Sequence, residues 1–201
     1  MPSITLYGSR MGSSLRPHWM LCELGLPYDA KNVDLKAGEQ RTPEFLAMNP
    51  AGQVPVIVID GFVLAESMAI THYLAARYKP ELNGRTIEEQ AKAMQWELWV
   101  ALRVQREFGV LSARRFRGVD DPIAEAKAKE ELAKHLPILD EHLSKNAYIA
   151  GEYFTTGDMN ACVGVQYATF SDYDLSGYPH ICRWRDMLMS RPAYVTATTS
   201  T

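Results

Sequence analysis

The sequence predicts a mixed α/β domain followed by an all-α domain. Before residue 80, short runs rich in β-branched and aromatic residues alternate with helical patterns. A turn-rich stretch, 79–84, ends this part, and beyond it the apolar periodicity is almost wholly helical. The chain has 201 residues, a length that fits two small domains. We therefore expect one domain over 1–80 and a second over 86–201.

The first part opens with a strand, a helix and a second strand. Residues 3–7 are rich in β-branched and aromatic side chains and end at Gly8, which is typical of a strand. A helix is expected over 15–24, because Gly25 suits the left-handed position that follows a helix. Residues 28–33 are consistent with a second strand.

The rest of the first part is predicted as a short helix, a hairpin and a longer helix. Thr42 is positioned to cap a helix that begins at Pro43. The apolar runs 56–59 and 62–64 are joined by Asp-Gly, which is typical of a β-hairpin. A helix over 67–78 follows, with apolar residues on one face. The predicted order of this part is therefore β-α-β-α-β-β-α.

The second part is predicted to consist of four helices. Apolar residues at steps of three and four mark a long amphipathic helix, namely Ile87, Ala91, Met94, Leu98 and Leu102. Pro122 begins another helix with leucines at 132, 136, 139 and 143, and a kink or restart is expected at Pro137. Two further helices are expected, at about 156–170 and 179–189.

Composition and charge exclude several classes of function. Lys and Arg number 21 against 24 Asp and Glu, a formal net charge of −3, so we expect no nucleic-acid partner. The sequence contains no apolar stretch of membrane-spanning length and no signal-peptide pattern after its first residue. The cysteines, at 22, 162 and 182, form no CxxC pair, and the histidines show no metal-ligand spacing. We therefore expect a soluble, cytoplasmic protein without a membrane association, a metal centre or a hydrolase triad.

Four motifs occur together in the order typical of one enzyme family. They are 49–56 (NPAGQVPV), 64–74 (LAESMAITHYL), 155–158 (TTGD) and 190–194 (SRPAY). The third has the form of a helix capping box, with Thr155 as N-cap and Asp158 three residues later. With these motifs in register across both parts, the chain resembles the soluble glutathione transferase family over essentially its whole length. The resemblance does not assign a subclass, and we expect a bacterial-type, serine-like or beta-like member.

The resemblance implies a thioredoxin-like first domain that binds glutathione and a helical second domain that contributes the electrophile site. A cis peptide bond is expected at Val54-Pro55, with the main chain of Val54 pairing with the cysteinyl backbone of glutathione. Ser67 and the start of the third helix are expected to bind the γ-glutamyl carboxylate, and Glu66 the ammonium group. Gln53 is a further expected donor. Without the resemblance, Ser67 is an N-cap and Glu66 a charge that complements the helix dipole.

The residue that activates the thiol is where the sequence departs from the family pattern. Counted from Tyr7, many serine-type members carry the catalytic Ser at the position of Gly12, and the bacterial beta class carries Cys at the position of Ser13. We expect Ser13 to supply the activating hydroxyl, with Ser14 as second choice and Ser9 as third. Tyr7 occupies the strand position of the catalytic Tyr in tyrosine-type members and stays an alternative. The other interpretation is that Ser13 and Ser14 only cap the first helix.

A wall for the second substrate is expected on the long helix. Trp99, Arg103 and Arg106 are spaced by four and three residues, which places them on one face of a helix. An aromatic and basic wall suits an electrophile with an apolar body and an anionic group. The pattern fits a second interpretation equally well, in which Trp99 packs in the core and the two arginines face solvent.

The function implied by the resemblance is the conjugation of the glutathione thiolate to small hydrophobic electrophiles, a transfer of alkyl or aryl groups in detoxification. Two alternatives stay open: glutathione-dependent isomerisation or reductive cleavage, and a non-catalytic protein that binds a partner or ligand. The resemblance also implies a homodimer. For its interface we expect an ion pair between Arg77 and an acidic residue of the long helix, such as Glu97.

Overall fold

Four strands form a mixed sheet in the first part of the chain. The computed structural model describes residues 2–199, in which residues up to 80 and from 191 form one unit and 81–190 form another. The strands are β1 (Ile4–Tyr7), β2 (Asp29–Lys31), β3 (Val56–Ile59) and β4 (Phe62–Ala65), in the spatial order β2-β1-β3-β4. β1 is parallel to β2 and antiparallel to β3, and β3 is antiparallel to β4.

Ten α-helices lie within residues 2–199. In chain order they are α1 (Leu15–Glu23), α2 (Pro43–Met48), α3 (Ser67–Tyr78), α4 (Ile87–Val100), α5 (Arg106–Leu111), α6 (Ala113–Arg117), α7 (Pro122–Lys145), α8 (Thr156–Phe170), α9 (Pro179–Met189) and α10 (Pro192–Thr199). The 3₁₀ turns Gly12–Ser14, Glu39–Arg41 and Pro80–Asn83 and the π-helical turn Ala101–Gln105 connect some of them. The helices described here include none with the length and apolar character needed to cross a bilayer.

Local sequence signals account for most of the first unit. Its elements follow the predicted order, and α3 has the predicted bounds. The Thr42 hydroxyl caps α2 by accepting the N–H of Phe45 at 3.3 Å. The hairpin turns at Asp60 and Gly61, which have φ of +52° and +87°, as a tight turn between antiparallel strands requires. The predicted fold class, a mixed α/β part followed by helices, is confirmed.

Helix α1 forms the centre of the first unit, because α3 and α10 both pack on it. All of its residues from Leu15 to Leu21 are buried. The ring of Trp19 meets the ring of Tyr194 on α10 edge to face, with centroids 5.0 Å apart. The sequence places α10 in the helical domain of 86–201, whereas the structure packs it against α1 in the first unit.

The second unit is helical, as predicted. The four leucines of α7, at 132, 136, 139 and 143, are all fully buried. Pro137 lies inside α7, which continues through it to Lys145, so the expected restart does not occur.

The apolar stripe predicted for the long helix runs along α4 into the π-helical turn at Leu102, and it lies on the surface of the unit rather than in its core. Its residues have large exposed fractions: Ile87 80%, Met94 49%, Leu98 43% and Leu102 63%. The buried face is made instead by Ala93, Glu97 and Val100, and α8 packs on this helix. The sequence therefore predicted the helix correctly, but the most apolar face of this helix is not the face that packs against the other helices of the unit.

The expected pairing of Arg77 with Glu97 is wrong. Glu97 is only 2% exposed and accepts a hydrogen bond from the Asn160 amide at 2.7 Å, so it is not available to an interface. Arg77 forms an ion pair with Asp60 of the hairpin turn at 3.0 Å and also donates to the Tyr73 hydroxyl at 2.8 Å. Each side chain is thus used within its own unit.

A buried carboxylate fixes the start of α8. Asp158 is fully buried, and its Oδ2 accepts the main-chain N–H of Thr155 at 2.9 Å, which confirms the predicted capping box. Its Oδ1 accepts the N–H of Ile149 at 2.7 Å and the indole N–H of Trp184 at 2.9 Å. Burial raises the pKa of Asp158 to about 6, while these hydrogen bonds favour the ionised form. One side chain therefore joins the helix start to α9 and to the preceding loop.

We expect Asp158→Ala to lower the free energy of unfolding by about 2–4 kcal/mol at pH 7, because it removes the cap and leaves buried donors unpaired. The loss should grow as the pH falls from 7 toward 4. A carboxyl with a raised pKa contributes stability that is present below its unfolded value and is lost as the pH rises through about 6. Urea denaturation at several pH values measures both effects.

The matched control is Glu152→Ala, which removes an exposed acidic side chain from the loop before α8. This substitution should change the free energy of unfolding by no more than about 0.5 kcal/mol at every pH. Equal losses in the two variants, or a loss for Asp158→Ala that shrinks at low pH, would contradict the prediction. The Michaelis constant for glutathione should change little in either variant.

Candidate functional site

A glycine at the end of β1 allows three chain segments of the first unit to meet. Gly8 has a backbone φ of +147°, which residues other than glycine rarely adopt. A Cβ at this position would lie 2.7 Å from the Ser14 hydroxyl oxygen and 3.6 Å from the Cα of Pro55. The absence of a side chain at Gly8 therefore brings the start of α1 beside the loop that precedes β3.

The predicted hydroxyl groups lie around this junction with different exposure. Ser14 is 2% exposed, whereas Ser13 and Ser9 are half-buried. Ser13 lies inside the 3₁₀ turn Gly12–Ser14, and Ser14 has helical backbone angles with no side-chain capping bond. The interpretation that Ser14 only caps α1 is therefore wrong, and the role of Ser13 as the activating hydroxyl stays a prediction.

The peptide bond between Val54 and Pro55 is cis, as the sequence resemblance implied. The loop before it is fixed by Asn49, a buried side chain whose amide donates to the Gln53 carbonyl at 2.8 Å. The Asn49 Oδ1 also accepts the N–H of Ala51 at 3.1 Å. Within residues 2–199 the main chain of Val54 makes no hydrogen bond to another residue. Its N–H and C=O are therefore not used by the fold.

The start of α3 combines an unusual backbone conformation with a buried polar contact. Glu66 precedes the helix with φ of +68° and has an exposed side chain. For a non-glycine residue such an angle is uncommon and is a reason to suspect a functional constraint. Ser67 is the first helical residue, 7% exposed, and its hydroxyl accepts a hydrogen bond from the Arg16 guanidinium at 3.2 Å. Because Arg16 lies in the first turn of α1, this bond joins the starts of the two helices.

The predicted alternative at Tyr7 is used in packing. Its ring meets that of Phe45 edge to face, with centroids 6.5 Å apart, and the Lys31 ammonium lies 5.5 Å from the ring centroid. Tyr7 thus belongs to the small apolar cluster around Val33, Phe45 and Val56.

The predicted electrophile wall lies in the second unit and is interrupted. The ring of Trp99 packs against Trp96 and against His135 of α7, with centroids 5.3 and 5.4 Å away. Arg103 lies in the π-helical turn Ala101–Gln105, which changes the helical spacing between Trp99 and Arg106. Both arginines are exposed, and Arg106 is 3.7 Å from Glu107. Trp99 therefore has a packing role, and a substrate role for the three residues stays a prediction.

Two residues of this region, Arg16 and Asn49, were not found from the sequence. Arg16 is 3% exposed, although arginine is usually a surface residue, and its hydrogen bond to Ser67 on α3 is a contact between residues 51 positions apart that local sequence patterns do not reveal. Asn49 carried a local signal, because an Asn-Pro-Ala-Gly stretch is typical of a turn in which the Asn side chain bonds to the following main chain.

The chain matches two protein-family models. Residues 2–76 match the N-terminal domain of glutathione S-transferases, and residues 105–192 match their C-terminal domain. Over 206 residues the chain is 32% identical to glutathione S-transferase F10 of Arabidopsis thaliana, covering 95% of this chain and 94% of that protein. It is 31% identical to glutathione S-transferase 3 of Zea mays, covering 96% and 92% of the two chains.

Solved structures give the same result for the fold. Glutathione S-transferase-I bound with lactoylglutathione has a TM-score of 0.86 at 28% identity, over 98% of both chains. A glutathione transferase family member from Pseudomonas fluorescens with two glutathione molecules bound has a TM-score of 0.89 at 25% identity, over 98% of this chain and 92% of that chain. The expected bacterial-type subclass is not supported, because the curated relatives named above are plant proteins.

We expect Gly8→Ala to lower the free energy of unfolding by at least about 2 kcal/mol, because the backbone angle disfavours a side chain and the Ser14 hydroxyl blocks it. Gly177→Ala is the matched control, since a Cβ there would have no atom within 4 Å and its φ is ordinary. That variant should stay within about 0.5 kcal/mol of the wild type. Urea denaturation of the wild type and the two variants measures these free energies of unfolding. Similar losses in Gly8→Ala and Gly177→Ala would contradict the prediction that a side chain at Gly8 is sterically blocked.

Proposed function

Because the chain belongs to the glutathione S-transferase family, we propose that it transfers glutathione to small hydrophobic electrophiles. The observation that carries this proposal is the junction of the first unit, where Gly8 lies against both Ser14 and Pro55 and Arg16 joins the starts of α1 and α3. The two curated relatives named above are plant proteins, and we infer that this chain is phi-type rather than beta-like. Within the described residues the cysteines at 22, 162 and 182 form no disulfide with one another, which supports a reducing, cytoplasmic location.

The first unit supplies polar groups suited to a tripeptide. The unpaired main chain of Val54 fits a β-type contact with the cysteinyl residue of glutathione, and Gln53 beside it adds an exposed amide. The Ser67 hydroxyl accepts its hydrogen bond from Arg16, so its own hydrogen is free to donate to the γ-glutamyl carboxylate. The exposed carboxylate of Glu66 suits the ammonium group at the same end. These roles make residues 1–80 the glutathione-binding domain and assign the electrophile site to the helical domain.

The start of α1 supplies the conditions that a thiolate needs. A cysteine thiol titrates near 8.5, so it is mostly protonated at neutral pH unless the thiolate is stabilised selectively. The first turn of α1 contains the buried Arg16 and no acidic residue, which makes this helix end favourable to an anion. The half-buried hydroxyl of Ser13 lies one turn earlier and donates its hydrogen to the thiolate in this proposal. Ser14 and Ser9 are the second and third choices, and Tyr7 is the least suitable because of its packing.

We expect Ser13→Ala to move the thiolate titration of bound glutathione about one to two pH units higher, because one hydrogen bond to a charged group is lost. The thiolate absorbance of the complex measures this shift, and kcat at pH 7 should fall about tenfold or more. Ser14→Ala and Ser9→Ala are the matched controls. A titration that coincides with the wild type in Ser13→Ala, but shifts in Ser14→Ala, would move the activating role to Ser14.

Product analysis and calorimetry separate the functions that are open at this site. Formation of a glutathione conjugate from an aromatic halide supports the transferase. Turnover of substrate without consumption of glutathione would indicate an isomerase, and oxidation of glutathione would indicate reductive cleavage. Absence of glutathione binding at millimolar concentration in calorimetry would favour the non-catalytic alternative.

The second unit offers positive charge and an apolar surface. Arg103 and Arg106 are exposed, and we include them with Trp99 in the proposed electrophile wall, where the arginines favour an anionic group on the substrate. The exposed stripe, defined as Ile87, Met94 and Leu98 of α4 and Leu102 of the π-helical turn that follows, fits a homodimer interface. Apolar side chains with exposed fractions of 43–80% along one helix are unusual on a monomer surface.

We expect Leu98→Glu to convert the dimer to monomer at micromolar concentration, because a carboxylate in an apolar interface loses its hydration. Ile138→Glu is the matched control, since Ile138 is 51% exposed on α7 but does not belong to the stripe. Sedimentation velocity measures both. Monomeric wild-type protein, or equal dissociation in the two variants, would contradict the role of this surface.

A further inference from the structure

The first unit contains a groove that the proposed function does not use. It lies between the end of α1, the turn that follows it and the start of α10, and has a volume of about 780 Å³. Six of the residues that line it are Arg10, Leu21, Cys22, Leu26, Tyr28 and Ala193. None of the proposed glutathione ligands belongs to its lining.

The groove contains a positive charge without an acidic partner. Arg10 uses one nitrogen, Nη1, to donate to the Tyr28 hydroxyl at 3.2 Å and to the carbonyl of Ala197 at 3.1 Å. Within the described chain it pairs with no carboxylate, and its Nε and Nη2 have no hydrogen bond. The one acidic residue of the lining, Glu23, is bonded to the Arg191 guanidinium.

Neighbouring groups do not cancel this charge. His18 lies behind Tyr28, with its Nδ1 at 2.9 Å from the Tyr28 hydroxyl oxygen. Burial and then the charge of Arg10 lower the pKa of His18 to about 4, so the imidazole is neutral at pH 7. The Tyr28 hydroxyl and the Cys22 thiol are also neutral there, because burial raises the pKa of both groups. At pH 7 the groove therefore has an excess of one positive charge.

The rest of the lining is mainly apolar, with side chains such as Leu21, Leu26 and Ala193. Its volume falls in the range of about 300–1,000 Å³ that is usual for small-molecule sites, which combine apolar walls with a few polar groups. The planar guanidinium edge formed by Nε and Nη2 matches the two oxygens of a carboxylate. We propose that this groove binds a small organic acid with a flat apolar body, whose carboxylate is bound by Arg10.

Cys22 provides a reporter inside the groove. Cys22 is partly exposed, and because burial raises the pKa of its thiol, we expect slow reaction with N-ethylmaleimide at pH 8. Cys182, which is also partly accessible and lies in the second unit, is the internal control. Mass spectrometry of the alkylated peptides gives both rates in one sample.

We expect 2-naphthoate to slow the alkylation of Cys22 at least fivefold at saturation and to leave Cys182 unchanged. The neutral analogue 2-naphthamide, which has the same apolar body, should need at least a tenfold higher concentration for the same protection. Equal protection by the acid and the amide would overturn the role of charge. Absence of protection by the acid, or parallel slowing of Cys182, would overturn the site itself.

Variants test the charge of Arg10 and the space beside Ala193 separately. Arg10→Gln should raise the half-protecting concentration of 2-naphthoate at least tenfold, and Arg10→Lys should restore part of the loss. Ala193→Phe narrows the groove with Arg10 intact and should also weaken protection. Val195→Phe is its matched control, because Val195 lies on the same helix, is 46% exposed and is not among the lining residues.

Each variant is compared with its own rate in the absence of ligand, after circular dichroism has established that it is folded. If Arg10→Gln does not fold, the pair at 193 and 195 decides the outcome. Unchanged protection in a folded Arg10→Gln, or equal protection in Ala193→Phe and Val195→Phe, would refute the proposal. These results do not depend on glutathione turnover, so they are independent of the proposed transferase activity.

Discussion

The hydrogen bond between the Arg16 guanidinium and the Ser67 hydroxyl joins the starts of α1 and α3, and the proposed glutathione site depends on this contact. An arginine side chain stays protonated even when it is buried, as Arg16 is. Its charge adds to the positive ends of two helix dipoles, and the acidic residue beside these two helix starts is Glu66, the N-cap of α3. In the proposed site this positive potential would offset the repulsion between the γ-glutamyl carboxylate and the thiolate of glutathione.

Gly8 imposes a second constraint on the same region. Because a Cβ at Gly8 would lie 2.7 Å from the Ser14 hydroxyl oxygen and 3.6 Å from the Cα of Pro55, the end of β1, the 3₁₀ turn and the loop before β3 are closely packed here. Ser14 is buried in this junction, whereas Ser13 is half-buried on the turn that leads into it. The two adjacent hydroxyls thus differ in exposure for a packing reason, and the more exposed one, on Ser13, is the one proposed to reach the thiolate. Arg10, in the same connection between β1 and α1, lines the separate groove.

Features that depend on neighbouring residues were predictable from the sequence, and features that depend on distant partners were not. Thr42, the Asp60-Gly61 turn and the capping box at Asp158 act within a few residues, so their sequence patterns were sufficient. The exposed stripe of α4 was predicted as a helix face, but periodicity cannot say which face other helices cover. Glu97 and Arg16 are buried because their partners, Asn160 and Ser67, lie 63 and 51 positions away in the chain.

Two buried titratable groups, one in each unit, make opposite contributions to the pH dependence of stability. His18 has a pKa lowered to about 4 by burial, so the stability it contributes is present above 6.5 and is lost as the pH falls through about 4. Asp158 has a pKa raised to about 6 by burial, so the stability it contributes is present below 3.8 and is lost as the pH rises through about 6. Between these limits the two contributions have opposite slopes and offset each other. A nearly flat stability profile between about pH 4 and 6 is therefore compatible with two strongly perturbed groups, and substitution of either one reveals the slope that belongs to the other.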